Sequence, residues 1–316
     1  MSELLQTTIN TLAVGGLYAL IALGYTLVYG ILRFINFAHS DVVAWGGWLA
    51  FTVASAAGWL VAGGAPGVGV VLVVLATMAL CAALGVTIER LAYRPLRNAP
   101  RLNVLITAIG VSLFLQNVGL HLFGNRPRSM SAEEALLVNR TLTTIGSVPI
   151  PLFGVMTIAV ALVLVFALQW LVYGTKMGRA MRAVSFDERI AALMGINVNR
   201  VVTLTFAIGS GLAAVGGILF ALRNDLQQTA EATWVVLGLK AFVAAVVGGI
   251  GNVRGAAAGA MLIAFVEVFV HTYVVKEFPD KEWVGRLQDI YVFGILILVL
   301  LFKPSGLLGK ASVEKV

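Results

Sequence analysis

Apolar runs of about 20 residues recur along the whole chain between short polar breaks, and that is the length a helix needs to cross about 30 Å of hydrocarbon. They fall near 10–32, 42–60, 67–88, 102–122, 150–173, 201–222, 237–272 and 290–302. The 237–272 run is too long for one crossing. Its small residues between Gly248 and Gly255 divide it into a short segment and a full span. The pattern predicts an all-α, polytopic transmembrane helical bundle of about eight spans, or nine with the short segment, some of them broken or re-entrant. The longest polar stretches, 123–149 and 174–200, are loop-sized, so residues 1–316 read as a single membrane-spanning domain.

Composition agrees: 59% of the residues are hydrophobic and 12% charged, and a mean hydropathy of +0.95 makes lipid the solvent. The formal charge of +7 raises the question of nucleic acid. However, the basic residues sit in alternate breaks rather than on one polar face, as the positive-inside rule requires. Two breaks are basic, 89–101 (Glu89, Arg90, Arg94, Arg97, Arg101) and 174–200 (Lys176, Arg179, Arg182, Arg189, Arg200 against Asp187 and Glu188). So is the tail with Lys303, Lys310 and Lys315, whereas 223–236 and 273–289 are mixed or acidic. With Arg33 and Arg254 on the same side, this places the N-terminus outside and the C-terminus in the cytoplasm. The N-terminal stretch lacks the basic region of a cleavable secretory signal, so the first span is expected to be retained. Cys81 lies in an apolar run and cannot by itself build a disulfide framework or a thiolate metal site.

Small residues crowd the last third. Gly251, Gly255 and Gly259 follow one another at GxxxG spacing, which lets helix backbones approach closely in lipid. The same stretch superficially resembles a dinucleotide-binding loop, but no strand–turn–helix unit surrounds it. No catalytic, cofactor-binding or metal-ligating constellation stands out: the histidines are His39, His121 and His271, without an HExxH pattern. There is no GxSxG, and "GLLGKA" at 306–311 lacks the spacing of a nucleotide-binding P-loop. If ATP drives this protein, another chain hydrolyses it.

The most informative polar stretch is 175–200. Ser185 and Glu188 have the S-x-x-E spacing of a capping box, Phe186, Ile190 and Leu193 follow at helical intervals around Asp187, Ala191 and Ala192, and Gly195 offers a left-handed stop. This predicts a short amphipathic helix whose apolar side rests on lipid headgroups or docks on a partner protein. Its mixture of acidic and basic residues favours the partner. Polar residues inside spans are costly and usually face a bundle interior or an aqueous path. Gln116, Asn117, Lys240 and Glu267, with His271 one turn beyond Glu267, are such residues. In "RFINFAHSD" at 33–41, Asn36, His39 and Asp41 suggest a helix break whose polar side chains either satisfy a tight turn or line a cavity, with Asp41 capping a helix that begins at Val42.

Five blocks resemble, in order, the permease subunits of ATP-binding-cassette importers for branched-chain and other hydrophobic amino acids, the LivH type. They are "GLYALIALGYTLVYGILRFINFAHSD" (16–41), "RPLRNAPRLNVLITAIGVSLFLQN" (94–117), "RAVSFDERIAALMGINVNRVVTLTFAIGSGLAAVGGIL" (182–219), "GLKAFVAAVVGGIGNVRGAAAGA" (238–260) and "LILVLLFKPSGLLG" (296–309). The chain departs from the family pattern with "AHSD" where "AHGE" is usual, and with Arg254 in "GNVRG".

The resemblance implies a translocation path shared with a homologous second permease, two cytoplasmic ATPases that hold ATP and Mg, an extracytoplasmic substrate-binding protein, and no nucleic acid. It implies a multi-pass protein of the bacterial cytoplasmic membrane in which the helix near 182–196 couples to the ATPase. The expected function is import of branched-chain or other neutral amino acids without catalysis by this chain. Urea or short amides are the alternative substrates within the same architecture. An autonomous secondary transporter is the alternative mechanism, with Glu267 as its one candidate ion-coupling carboxylate.

Overall fold

The structure, a computed structural model, describes residues 2–58, 66–97, 99–124, 141–145, 148–223, 233–275 and 282–309. Most of the polar stretch 123–149, much of the 223–236 and 273–289 breaks, and the tail residues Lys310 and Lys315 lie outside the described residues. In hydrocarbon every backbone amide and carbonyl must find a partner within the chain, so each apolar run closes its own hydrogen bonds as a helix.

The described helices are α1 (Ser2–Leu32), α2 (His39–Ala56), α3 (Pro66–Ile88), α4 (Arg101–Phe123), α5 (Leu152–Gly174), α6 (Lys176–Phe186), α7 (Glu188–Leu193), α8 (Val198–Arg223), α9 (Thr233–Gly248), α10 (Val253–Phe269) and α11 (Glu282–Phe302). Among the described residues, six helical stretches are long and apolar enough to cross a membrane: Glu3–Leu32, Val68–Leu96, Leu102–Phe123, Leu152–Gly174, Val198–Arg223 and Val253–Val274. Shorter apolar helices occupy Val236–Gly248 and Asp289–Phe302. A two-stranded antiparallel hairpin, β1 (Thr141–Ile145) with β2 (Val148–Pro151), precedes α5 in a stretch that reads as loop from sequence.

The chain forms two compact units, residues 27–130 with 170–238, and residues 1–26 with 131–169 and 239–316. In the unit holding 27–130, α8 packs on α2 and α3. The small residues of α8 make that approach possible. A Cβ added at Gly217 would overlap the Val43 carbonyl oxygen, and one at Gly46 would press on the Ala214 backbone. Helix α4 joins α2 through Trp45, whose Nε1 donates to the Leu115 carbonyl at 3.1 Å, and through Trp48 stacked on Phe123. Helix α3 runs on into a π turn, Glu89–Tyr93, and then a 3-10 turn, Arg94–Leu96.

In the other unit, the turn Gly249–Asn252 reverses α9 into α10, at the split expected from sequence. Gly255 and Gly259 press on backbone atoms of Gly248 and Ala244 in α9, so a side chain at either would force the helices apart. Gly251 does not belong to that contact. It is an exposed turn residue with φ +92°, where glycine is needed for the backbone and not for helix packing. The chain after α11 returns to this turn: Leu307 and Leu308 amides donate to the Val247 and Gly248 carbonyls at 2.8 and 3.0 Å, and Asn252 Nδ2 donates to the Leu308 carbonyl at 2.8 Å. Those bonds satisfy carbonyls that the end of α9 would otherwise leave open.

Candidate functional site

Helices α6 and α7 form a hairpin beyond the end of α5. Thr175 caps α6, its Oγ1 accepting from the Gly178 amide at 3.0 Å. One face of α6 then buries Gly178, Met181 and Val184 at three-residue spacing. Met181 and Val184 form a small core with Ala191 and Val201, covered by Ile31, Leu171 and Ile196. The chain breaks at Asp187, whose extended backbone (φ −155°, ψ 115°) makes it the N-cap of α7, its Oδ1 accepting from the Ile190 amide at 2.9 Å.

The capping box expected at Ser185 and Glu188 is therefore corrected. Helix α6 continues through Phe186, so the free amides begin two residues later, and the Ser185 hydroxyl donates to the Arg182 carbonyl at 2.8 Å. Helix α7 ends as the sequence predicts, at Gly195 with φ +84°. The Gly195 amide bonds to the Ala192 carbonyl and the Ile196 amide to the Ala191 carbonyl, the paired bonds of a Schellman stop. With Ala191 facing inward, Phe186, Ile190, Leu193 and Met194 are left 82%, 55%, 86% and 78% exposed, and Ala192 is exposed beside them. An apolar tip on a basic hairpin is a surface built to be covered.

The 33–38 break lies beside this hairpin. Arg33 closes α1 in the left-handed region, φ +54°, a conformation that costs a non-glycine residue about 1 kcal/mol. Its Nη2 donates to the Ser185 carbonyl at 3.0 Å. Asn36 is buried, and its Oδ1 accepts from the Tyr93 hydroxyl at 2.7 Å. The Tyr93 ring in turn packs on Phe34 and Phe206. Helix α2 starts at His39, with Ala38 as its N-cap residue, so Asp41 is already inside the first turn. The expected cap role for Asp41 is thus replaced by an interhelical one: its Oδ1 accepts from Gln116 Nε2 at 3.0 Å, and Gln116 also donates to Ser112 Oγ. His39 and Asp41 are both buried. Asn36, His39, Asp41 and Gln116 therefore belong to one unit, while Asn117 points outward and bonds to the Leu113 carbonyl of its own helix.

At the same basic end, Glu89 is fully buried in the π turn. Its Oε1 is 2.6 Å from Arg97 Nη2 and its Oε2 accepts from Thr203 Oγ1 of α8 at 2.8 Å. The other arm of Arg97, Nη1, donates to Asn199 Oδ1 at 2.7 Å and lies 3.9 Å from Glu188 Oε1 at the start of α7.

The remaining pair, Lys240 and Glu267, meets in the other unit. Lys240 Nζ is 3.0 Å from Glu267 Oε1 and 2.8 Å from Asp289 Oδ1, and the Tyr18 hydroxyl donates to Glu267 Oε2 at 2.7 Å. Four helices, α1, α9, α10 and α11, each supply one member.

Sequence reasoning missed Tyr18, Glu89, Tyr93, Arg97, Asp289 and Met194 as members of these clusters. Glu89 and Arg97 read as charges of a basic break, yet Glu89 directly follows the apolar "LGVTI", where an acid inside the last helical turn needs a cation. Asp289 lies in α11 rather than in the 273–289 break.

A family model for the permease component of branched-chain amino acid transport systems matches residues 7–301. The high-affinity branched-chain amino acid transport system permease protein BraD of Pseudomonas aeruginosa is 38% identical, over 99% of this chain and 98% of that protein. The corresponding permease protein LivH of Escherichia coli K12 is 37% identical, over 99% and 97%. A probable branched-chain amino acid transport permease protein, LivM of Methanocaldococcus jannaschii, is 28% identical over 44% of this chain and 41% of its own.

Proposed function

The chain belongs to the family of permease components of branched-chain amino acid transport systems, and from that premise we propose that it is the membrane-spanning subunit of an ATP-driven importer of branched-chain amino acids. The carrying observation is the exposed apolar tip of the otherwise basic α6–α7 hairpin, Phe186, Ile190, Leu193 and Met194. A helix with such a face is the usual insert for a groove on a partner protein. In this reading the partner is a cytoplasmic ATPase, one of two that hold ATP and Mg. A second, homologous permease completes the path, and an extracytoplasmic binding protein delivers the substrate.

The same reading carries a proposed orientation. The 33–38 break, the π turn at 89–93 and the α6–α7 hairpin bond to one another, so one end of their unit gathers the basic breaks. By the positive-inside rule that end is cytoplasmic and the N-terminus of α1 is outside. In the other unit the α9–α10 turn, with Arg254 just beyond it, is strapped to the C-terminal segment, in keeping with a cytoplasmic C-terminus. A path for a zwitterion needs polar contacts weak enough to release it, and the neutral Asn36 and Gln116 are groups of that kind.

The test is purification of the tagged chain with its co-expressed partners, followed by leucine uptake into proteoliposomes. Co-eluting ATPase subunits and ATP-dependent uptake are expected. Ile190→Asp is expected to weaken ATPase association by on the order of tenfold or more, the scale of losing one buried interface anchor. A chain that purifies alone and takes up substrate on a proton gradient would sink the proposal.

A further inference from the structure

We infer that Arg97 is a positioning residue for transport: it ties the foot of α8, and through it the adjoining start of α7, to the buried Glu89, so that movement of α7 is carried into the π turn that holds the 33–38 break. This rests on the reading of α7 as the ATPase contact, and names what links that contact to the membrane helices. The geometry is specific. One guanidinium bonds to Glu89 at the end of α3 and to Asn199 in the first turn of α8, and lies 3.9 Å from Glu188 at the start of α7. Glu89 has no exposure, and both of its oxygens are occupied, by Arg97 and by Thr203. Four residues on, in the same π turn, Tyr93 is equally buried and bonds to Asn36 in the break. Glu89 and Tyr93 therefore move together or not at all, because a single closed turn carries both. A second tie, from Arg33 to the Ser185 carbonyl, joins the break to the last turn of α6.

Two roles for Arg97 make different demands. Neutralising a buried carboxylate needs only a cation nearby. Holding Glu89 and Asn199 at once needs the planar, two-armed guanidinium, because a lysine ammonium at the end of a flexible stem cannot reproduce that fork. Contiguity alone does not prove energetic coupling, so the decisive readout is substrate moved per ATP hydrolysed in the assembled importer.

The Arg97→Gln, Glu89→Gln double variant leaves no unpaired charge and keeps polar groups at both positions. It is expected to assemble and hydrolyse ATP while its transport stoichiometry falls about fivefold or more, the scale of a typical coupling between sites. Arg97→Lys is expected to assemble at normal yield with a smaller fall. Asn199→Ala, which leaves the Glu89 pair intact, is expected to lower the stoichiometry least. If the double variant keeps wild-type stoichiometry while Ile190→Asp disrupts ATPase association, Arg97 only neutralises Glu89; the inference fails and the role of α7 stands. If Ile190→Asp changes neither association nor stoichiometry, the role of α7 fails and takes the clamp with it. Should the double variant not assemble, Arg97→Lys decides: wild-type stoichiometry in that variant overturns the inference.

Discussion

Two charge clusters in this protein each set one cation against two acids, and they differ in how closely the second acid is held. Arg97 pairs closely with one acid, Glu89 at 2.6 Å, whose second oxygen is filled by Thr203; its other arm bonds to Asn199, and its second acid, the half-exposed Glu188, stands off at 3.9 Å. The pair is closed around Glu89, because each of its oxygens has a direct partner and the other acid stays out of hydrogen-bond range of Arg97. Lys240 instead serves two carboxylates, Glu267 and Asp289, with Tyr18 as the only other donor among the described contacts to them. Among the described residues that cluster holds one acid more than its cation balances, and its outer acid, Asp289, has a side chain 43% exposed. A closed pair fits a joint that transmits movement without changing partners. An acid-rich triad has a shared cation at its centre and a surplus charge at its rim, so removing different members should have very unequal effects.

The largest effect is expected at the shared cation. Lys240→Met strips both Glu267 and Asp289 of the one cation they meet among the described residues, and breaking a buried pair from one side typically costs about 3–5 kcal/mol. The expected outcome is a sharp loss of folded, assembled importer, read by size-exclusion yield and melting temperature in detergent. Normal yield and melting temperature would mean that the triad is not held together by Lys240.

A smaller cost is expected at the closed pair. Glu89→Gln keeps an acceptor for Thr203 but removes the charge facing Arg97. Arg97 is only 11% exposed, yet it still has Asn199 and can swing towards Glu188. The loss is expected at about 1–3 kcal/mol, that of one weakened charged hydrogen bond, and well below that of Lys240→Met in the same melting assay. Equal losses for the two variants would erase the distinction between a closed and a shared arrangement.

How far these clusters could be read from the sequence follows from what lipid demands. It demands length and internal hydrogen bonding, so the spans, the split near 248–252 and the stop at Gly195 were legible from apolar runs and glycine positions alone. It places no comparable demand on which side of a helix faces which neighbour. Helices that are apolar all round carry no stripe to orient them. Lys240 and Glu267 could therefore be named as costly residues but not paired, and Asp289 was hidden because α11 starts inside a polar break.

The caps failed by small offsets. Helix α2 begins two residues before Asp41, and α6, unseen within a basic stretch, pushed the next cap from Ser185 to Asp187. The buried spacing of Gly178, Met181 and Val184 is the signal that would have revealed α6. Gly251 shared the spacing of Gly255 and Gly259 but sits in the turn, where spacing on a helix has no meaning.

The smallest effect, and the one that separates the two arrangements most cleanly, is expected at the rim of the triad. Asp289→Asn removes the surplus negative charge while leaving an amide oxygen within reach of Lys240, and Glu267 keeps both Lys240 and Tyr18. A partly exposed ion pair contributes about 0–1 kcal/mol, and this one is opposed by repulsion between two acids around one ammonium. The two terms nearly cancel, so the melting temperature should stay close to wild type or rise slightly. The companion change at the inner acid, Glu267→Gln, should cost more, because it weakens the bonds to both Lys240 and Tyr18 on the less exposed side of the cluster. If Asp289→Asn destabilises the importer as much as Glu267→Gln does, the outer carboxylate is an equal partner of Lys240 and carries no surplus. If it is neutral for stability yet lowers leucine uptake, the extra charge is kept for transport rather than for folding.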